Sequence, residues 1–274
     1  MSADRIRRFA ISNPGDDAQI PAVYEESSGE VADRGVYLLL HGLGIGKNEY
    51  LDFYVRLSRR LSAEGFSTLR IDFRGHGESC APSHQFTVTS SVLDAAAALG
   101  WLLSSCNFHS IKIFGLSFGA SIAILLASLF PARVGALSLL APVLDYDKLY
   151  IQPESTARQQ KYGSLLEDVM LRGESRKILD DVTFGGQMVE QLALIPLHDR
   201  LVSLDMPIAI MHGTADDAIP FSMSQKACHL CKNAVLHEFP NMEHGFTDAG
   251  DGHGIRPQTE RNFERILKIA TSWP

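Results

Sequence analysis

The 274-residue chain holds only four cysteines, Cys80, Cys106, Cys228 and Cys231, too few for a disulfide scaffold at this length. Cys228 and Cys231 form a lone C-x-x-C. His229 and His237 lie near it, but the set lacks the spacing of a tetrahedral zinc site. The pair reads as two small residues one turn apart on a helix. There is no basic excess: the formal net charge is -7 and no long Lys/Arg run occurs, so a nucleic-acid footprint is missing. Long apolar runs are also missing. The longest, around Ile122–Leu129, ends at Pro131, and no bilayer-spanning segment is expected. The opening MSADRIRRFAISNPGDD has no apolar stretch of signal-peptide length, which points to a cytoplasmic protein. No internal repeat or low-complexity tract is visible.

What is present is ordinary globular material. Hydrophobic residues make up 45% and charged residues 21%, enough for one large core. Strand-length apolar runs alternate with helix-length segments, which predicts βαβ units and a mostly parallel sheet. Strands are expected at Arg5–Ser12, Ile20–Glu26, Val36–His41, Thr68–Phe73, Ile111–Gly115, Val134–Leu140, Pro207–His212 and Ala234–Phe239. The first two are joined by Asn13-Pro14-Gly15-Asp16 and read as an antiparallel edge hairpin. Helices are expected at Tyr50–Gly65, Val88–Ser104, Gly119–Phe130 and Thr259–Trp273. Residues 142–204 break the rhythm. They show no convincing strand and are too long for an ordinary loop, so they read as a mostly helical insertion over the strand ends. The alternative is one longer helix with extended connections. The core is then residues 1–141 and 205–274.

Gly115-Leu116-Ser117-Phe118-Gly119 follows a short strand and opens an apolar helix. Glycines flanking a serine at a tight strand-to-helix turn let backbone and helix approach closely and expose the hydroxyl beside a helix N-terminus. Ser117 is therefore the candidate nucleophile. Serine needs a base. Of ten histidines, His244 in Asn241-Met242-Glu243-His244-Gly245-Phe246 lies after the last strand, where a loop reaches the carboxyl ends of the strands. The base needs an acid to hold its tautomer. Asp216 follows the strand Pro207–His212, giving the chain order Ser, Asp, His. Its neighbour Asp217 competes for the role, and Asp145 does so more weakly. An oxyanion hole needs two backbone N–H donors. Phe118, directly after the serine, is one candidate. Leu43, in the loop His41-Gly42-Leu43-Gly44 after a buried strand, is the other.

In these motifs the chain resembles the α/β-hydrolase superfamily over nearly its whole length. The likeness runs through LLLHGLG (Leu38–Gly44), DFRGHGES (Asp72–Ser79), GLSFG (Gly115–Gly119), HGTADDAIP (His212–Pro220) and NMEHGF (Asn241–Phe246), in that order. The resemblance implies an α/β-hydrolase fold: an eight-stranded, mostly parallel sheet flanked by helices, its second strand antiparallel, with a helical cap after the sixth strand. It also selects Asp216 over Asp217 as the acid. It makes DFRGHGES a structural turn beside the site, with no catalytic work for Asp72 or Glu78. The layout is similar to the bacterial cinnamoyl and feruloyl esterases. Branches with an Asp nucleophile, such as dehalogenases and epoxide hydrolases, and the Cys-dependent dienelactone-type hydrolases are disfavoured by Ser117.

The expected chemistry is acyl transfer through an acyl-enzyme, with no metal or organic cofactor. A small-molecule carboxylic ester leads as substrate. A thioester on coenzyme A or an acyl carrier comes next, and then a carbon–carbon bond in a ring-cleavage product. A non-catalytic binding protein on the same fold is the alternative of another class. Tyr146, Tyr150, Tyr162 and Phe184 of the insertion either line an acyl or aryl pocket or pack the cap against itself. No membrane or nucleic-acid partner is expected. Oligomeric state and the acyl and leaving groups stay open, and Gly250–Gly254 is an unusual glycine-rich loop.

Overall fold

The computed structural model describes residues 5–29, 33–106, 108, 110–246 and 257–273. The main sheet contains β1 (Ile6–Ser12), β2 (Gln19–Glu25), β3 (Gly35–Leu40), β4 (Phe66–Ile71), β5 (Ile111–Leu116) and β6 (Val134–Leu140). After β6 come β7 (Arg176–Leu179) and β8 (Val182–Phe184), which stand apart, and then β9 (Ile208–Gly213) and β10 (Ala234–Phe239). The eight-stranded sheet runs β1-β2-β4-β3-β5-β6-β9-β10. β2 is antiparallel to both β1 and β4, and the pairs from β4 to β10 are parallel. This is the α/β-hydrolase architecture implied by the motifs.

The helices are α1 (Phe53–Ala63), α2 (Val88–Ser105), α3 (Phe118–Leu129), α4 (Thr156–Tyr162), α5 (Leu165–Met170), α6 (Gly186–Leu194), α7 (Leu197–Val202), α8 (Phe221–Leu230) and α9 (Pro257–Ala270). Parallel strands connected by helices are covered on both faces, so their side chains are buried on both. β3 illustrates this. Leu38 and Leu40 join a core with α2 and α3, while Tyr37 and Leu39 join a second with α1 and α9. α3 is apolar all round and buried from Phe118 to Ala127, as its composition required.

Three expectations change. The helix expected from Tyr50 begins with a one-turn 3-10 segment, because Leu51 (φ 53°) and Asp52 (φ 52°) are left-handed; α1 starts only at Phe53. Residues 142–204, expected to hold no strand, contain the β7–β8 hairpin, turning at Asp180-Asp181. Its strands of four and three residues are too short to display a period of two in sequence. Finally, α2 is long and apolar enough, by length and composition, to cross a membrane. In the fold it is a core helix with Val88, Ala95, Ala98 and Leu102 buried, and it packs on α3 and β4. Thr87 and Ser90 cap its start reciprocally, side chain to backbone.

The aromatics of residues 142–204 pack inward. Tyr150 meets Tyr162 and Phe184 edge-on at ring-centroid distances of 5.3 and 5.7 Å, and Tyr146 is fully buried. Cys228 sits in α8, with Cys231 one turn on at its C-cap, and both are free thiols. The Gly250–Gly254 loop lies outside the described residues.

Candidate active site

Ser117 sits between β5 and α3 with φ 52° and ψ -113°, a backbone conformation that β-carbon-bearing residues avoid. Its neighbours are glycine for a spatial reason. A Cβ on Gly115 would lie 2.6 Å from the Ala120 Cα, and one on Gly119 only 2.0 Å from the Leu40 carbonyl oxygen. The helix start is thus pressed against β3 and β5, and the turn projects the hydroxyl.

The elements that follow β9 and β10 bring the other groups to this turn. Thr214 N–H donates to Phe239 O (3.0 Å) and Ala215 N–H to Met242 O (3.2 Å), so the two loops are tied together. Across them, His244 Nε2 is 3.1 Å from Ser117 Oγ, and His244 Nδ1 is 2.8 Å from Asp216 Oδ2. The three residues singled out in sequence are joined in one hydrogen-bonded chain. Asp217 is not part of it. Its carbonyl and that of Ala218 instead accept from Arg158 of α4, at 2.9 and 2.6 Å. Asp145 is likewise elsewhere, where its carboxylate accepts from Lys148 N–H.

The Asp216 side chain is fully buried. Burial alone would favour its neutral form. Hydrogen bonds from His212 and His244, the charge of His244, and the Ile219 N–H outweigh that and hold the carboxyl well below the usual carboxylate range. Oδ1 accepts from Ala218 N–H (2.9 Å) and Ile219 N–H (2.7 Å), which aims Oδ2 at the histidines. His212 was missed in sequence, where it reads as the end of a buried strand. Its Nε2 lies 3.1 Å from Asp216 Oδ2, and its Nδ1 lies 2.7 Å from Ser224 Oγ.

Leu43 lines the same cavity of about 320 Å³ as Ser117 and His244. Phe118 is the first residue of α3. The loop that carries Leu43 comes close to the serine: a Cβ on Gly42 would lie 3.5 Å from Ser117 Cβ. Glu49, also missed in sequence, turns its buried carboxyl into this loop. It accepts from Gly42 N–H, and from Tyr50 N–H at 3.2 Å. Burial pushes its pKa up to about 7, against the opposing pull of those two N–H groups and of His244. Its backbone (φ 63°, ψ 171°) lies in a region used almost only by glycine.

The DFRGHGES turn is structural. Asp72 accepts from Lys47 N–H (2.6 Å), Lys47 Nζ (2.5 Å) and Glu78 N–H (2.9 Å). Arg74 is held by Asp94 and Asp16. His41 is also a scaffold residue. It is fully buried, its pKa is driven down to about 3 by burial, and its Nε2 accepts from Phe73 N–H at 3.0 Å. Residues 142–204 meet this site through Arg158, which donates to the loop after Asp216, and through the β7–β8 hairpin, whose Leu179 side chain would lie 2.6 Å from a Cβ on Gly44.

A mostly parallel sheet of this order, with a serine at the strand-to-helix turn and His and Asp on the later loops, defines an α/β hydrolase. The chain belongs to the α/β-hydrolase family described as serine aminopeptidase, S33, whose model matches residues 32–193. Over 229 residues it is 31% identical to a Bacillus subtilis (strain 168) protein that carries the name of a 2-succinyl-6-hydroxy-2,4-cyclohexadiene-1-carboxylate synthase, covering 73% of this chain and 78% of that one. It is 26% identical over 243 residues to 2-hydroxy-6-oxononadienedioate/2-hydroxy-6-oxononatrienedioate hydrolase 2 of Pseudomonas putida, covering 76% and 80%. The structure of Est1E from Butyrivibrio proteoclasticus with ferulic acid bound shares the fold, with a TM-score of 0.76 at 20% identity, over 95% of this chain and 97% of that one.

Proposed function

We propose that the protein hydrolyses a small-molecule carboxylic ester by a Ser117–His244–Asp216 triad. The observation that carries this reading is the unbroken hydrogen-bonded chain from Ser117 Oγ through His244 to Asp216 Oδ2. Ser117 attacks the carbonyl carbon while His244 Nε2 takes its proton. The oxyanion rests on the N–H groups of Leu43 and Phe118. Asp216 keeps the His244 proton on Nδ1, so Nε2 is free to accept, and it stabilises the imidazolium that follows. His244 returns the proton to the leaving alcohol, and water repeats the sequence on the acyl-enzyme. Residues 142–204 act as a cap, gripping the acid loop through Arg158 and the oxyanion loop through the β7–β8 hairpin.

The fold neighbour with bound ferulic acid supports an ester, and the dioate hydrolase among the relatives keeps carbon–carbon cleavage as the second reading. A thioester would pass through the same steps. The test is turnover of a panel of nitrophenyl acyl esters by wild type and Ser117→Ala. The expected result is hydrolysis that falls by at least about three orders of magnitude in the variant. Equal rates in both proteins would refute the triad. Activity only on thioesters, or only on ring-cleavage diketones, would move the substrate class while leaving the triad.

A further inference from the structure

The cavity at Ser117 carries two carboxyl groups. Glu49 lines it from the turn before α1, and Glu243 lines it from the loop that bears His244. Among the described residues no lysine or arginine lines it. The nearest cation in sequence, Lys47, is buried and already paired with Asp72 (2.5 Å) and Glu78 (3.0 Å). Glu49 is held rigidly. Both carboxyl oxygens accept backbone N–H groups, and its backbone is strained. Such strain persists only where the surrounding structure imposes it. A negative charge fixed in the wall of a pocket acts on a charge brought beside it more strongly than it would in bulk water.

We infer that Glu49 sets the charge of the acyl group, admitting uncharged acyl chains and turning away those with a carboxylate near the scissile carbonyl. The inference rests on the ester-hydrolase reading above and narrows it. Glu49 is a specificity residue; its proton takes no part in bond breaking. The titratable groups that act on its carboxyl are His244 from the loop after β10 and Tyr54 from α1, and Glu243 and Tyr50 line the same cavity. Its raised pKa of about 7 means that the exclusion strengthens as pH rises from 6 to 8. Glu49→Gln keeps an oxygen to accept Gly42 N–H and removes the charge, giving up the longer bond from Tyr50 N–H, where its NH₂ group now lies.

The experiment compares nitrophenyl butyrate with nitrophenyl hemisuccinate, which are close in size and differ by one carboxylate that is ionised throughout this pH range. Wild type should favour the butyrate by at least about tenfold in kcat/KM at pH 8, a ratio equivalent to about 1.4 kcal/mol. The ratio should shrink at pH 6. Glu49→Gln should narrow it to within about threefold and remove its pH dependence; the ratio of the two esters is the readout, because loosening of the Gly42–Leu43 loop lowers both rates alike. Glu243→Gln, on the more open side, should leave most of the preference in place. An unchanged ratio in Glu49→Gln, an equal narrowing in Glu243→Gln, or a wild-type ratio that is flat from pH 6 to 8 would each overturn the inference. The wild-type arm stands even if the Gln variant fails to fold. If no ester is hydrolysed at all, the ester reading fails separately. The charge preference is then read from protection of Ser117 against an uncharged fluorophosphonate, with butyramide expected to protect and succinamate not. Equal protection by the two would overturn it.

Discussion

Asp216→Asn is the perturbation for which the structure gives the sharpest consequence. Oδ1 of Asp216 faces the N–H groups of Ala218 and Ile219, so the asparagine must keep its carbonyl oxygen there. Its NH₂ group then occupies the Oδ2 position and points at His244 Nδ1 and His212 Nε2. Both nitrogens must become acceptors. For His212 the switch is tolerated, because the Ser224 hydroxyl can accept from Nδ1–H as readily as it donates to Nδ1. For His244 it is not. With Nδ1 bare, the proton moves to Nε2, the atom 3.1 Å from Ser117 Oγ, which can then no longer take the serine proton. The expected loss in kcat is about 10⁴-fold, or about 5.5 kcal/mol of transition-state stabilisation. The fold should survive, with a stability loss of about 1–3 kcal/mol from the weakened charge-assisted bonds. Ester turnover and urea unfolding measured on the same preparation separate the two effects. A folded Asp216→Asn enzyme retaining more than about a tenth of wild-type kcat would refute the tautomer argument.

Other outcomes follow from single contacts. Glu49 has a folded pKa raised from 4.5 to about 7, so its ionisation opposes folding: the penalty is absent below pH 4.5, grows between pH 4.5 and 7, and is complete above. Glu49→Gln should therefore gain stability over wild type as pH rises through that window, by up to about 3 kcal/mol, in unfolding titrations at pH 5 and pH 8. A constant difference would contradict the assigned cause. Gly119→Ala should cripple both folding and activity, since its Cβ would lie 2.0 Å from the Leu40 carbonyl oxygen; soluble, fully active protein would show that α3 can retreat from β3. Asp94→Ala should cost about 3–5 kcal/mol, because it leaves the buried Arg74 guanidinium without its main partner. Urea midpoints within error of wild type would count against that pair as a structural clasp.

Much of the fold was legible because its signals are local and redundant. Dense apolar runs marked β3, β5, β6 and β9, and the glycines around Ser117 announced a turn that only close helix–strand contact explains. The choice of Asp216 over Asp217 was legible only through family resemblance. In sequence the two carboxylates are equivalent, and it is the Ala218 and Ile219 N–H groups that aim one of them. Glu49 was invisible because a glutamate in Lys47-Asn48-Glu49 looks like a solvated loop residue; its burial comes with positive φ at Glu49, Leu51 and Asp52, which no pattern in the sequence announces. His212 was absorbed into a strand, although a histidine ending an apolar run just before the acid loop was a usable signal. The β7–β8 hairpin was lost to its length, although Ile178, Val182 and Thr183 around Asp180-Asp181 carry strand character.

The central claim is that Ser117 carries the acyl group. Mass spectrometry of the protein quenched in acid during turnover of a nitrophenyl ester tests it directly. The expected result is a mass increase equal to one acyl group, located on the peptide that contains Ser117, accumulating in wild type and missing from Ser117→Ala. Turnover with no adduct on that peptide, or an adduct that persists in Ser117→Ala, would contradict it.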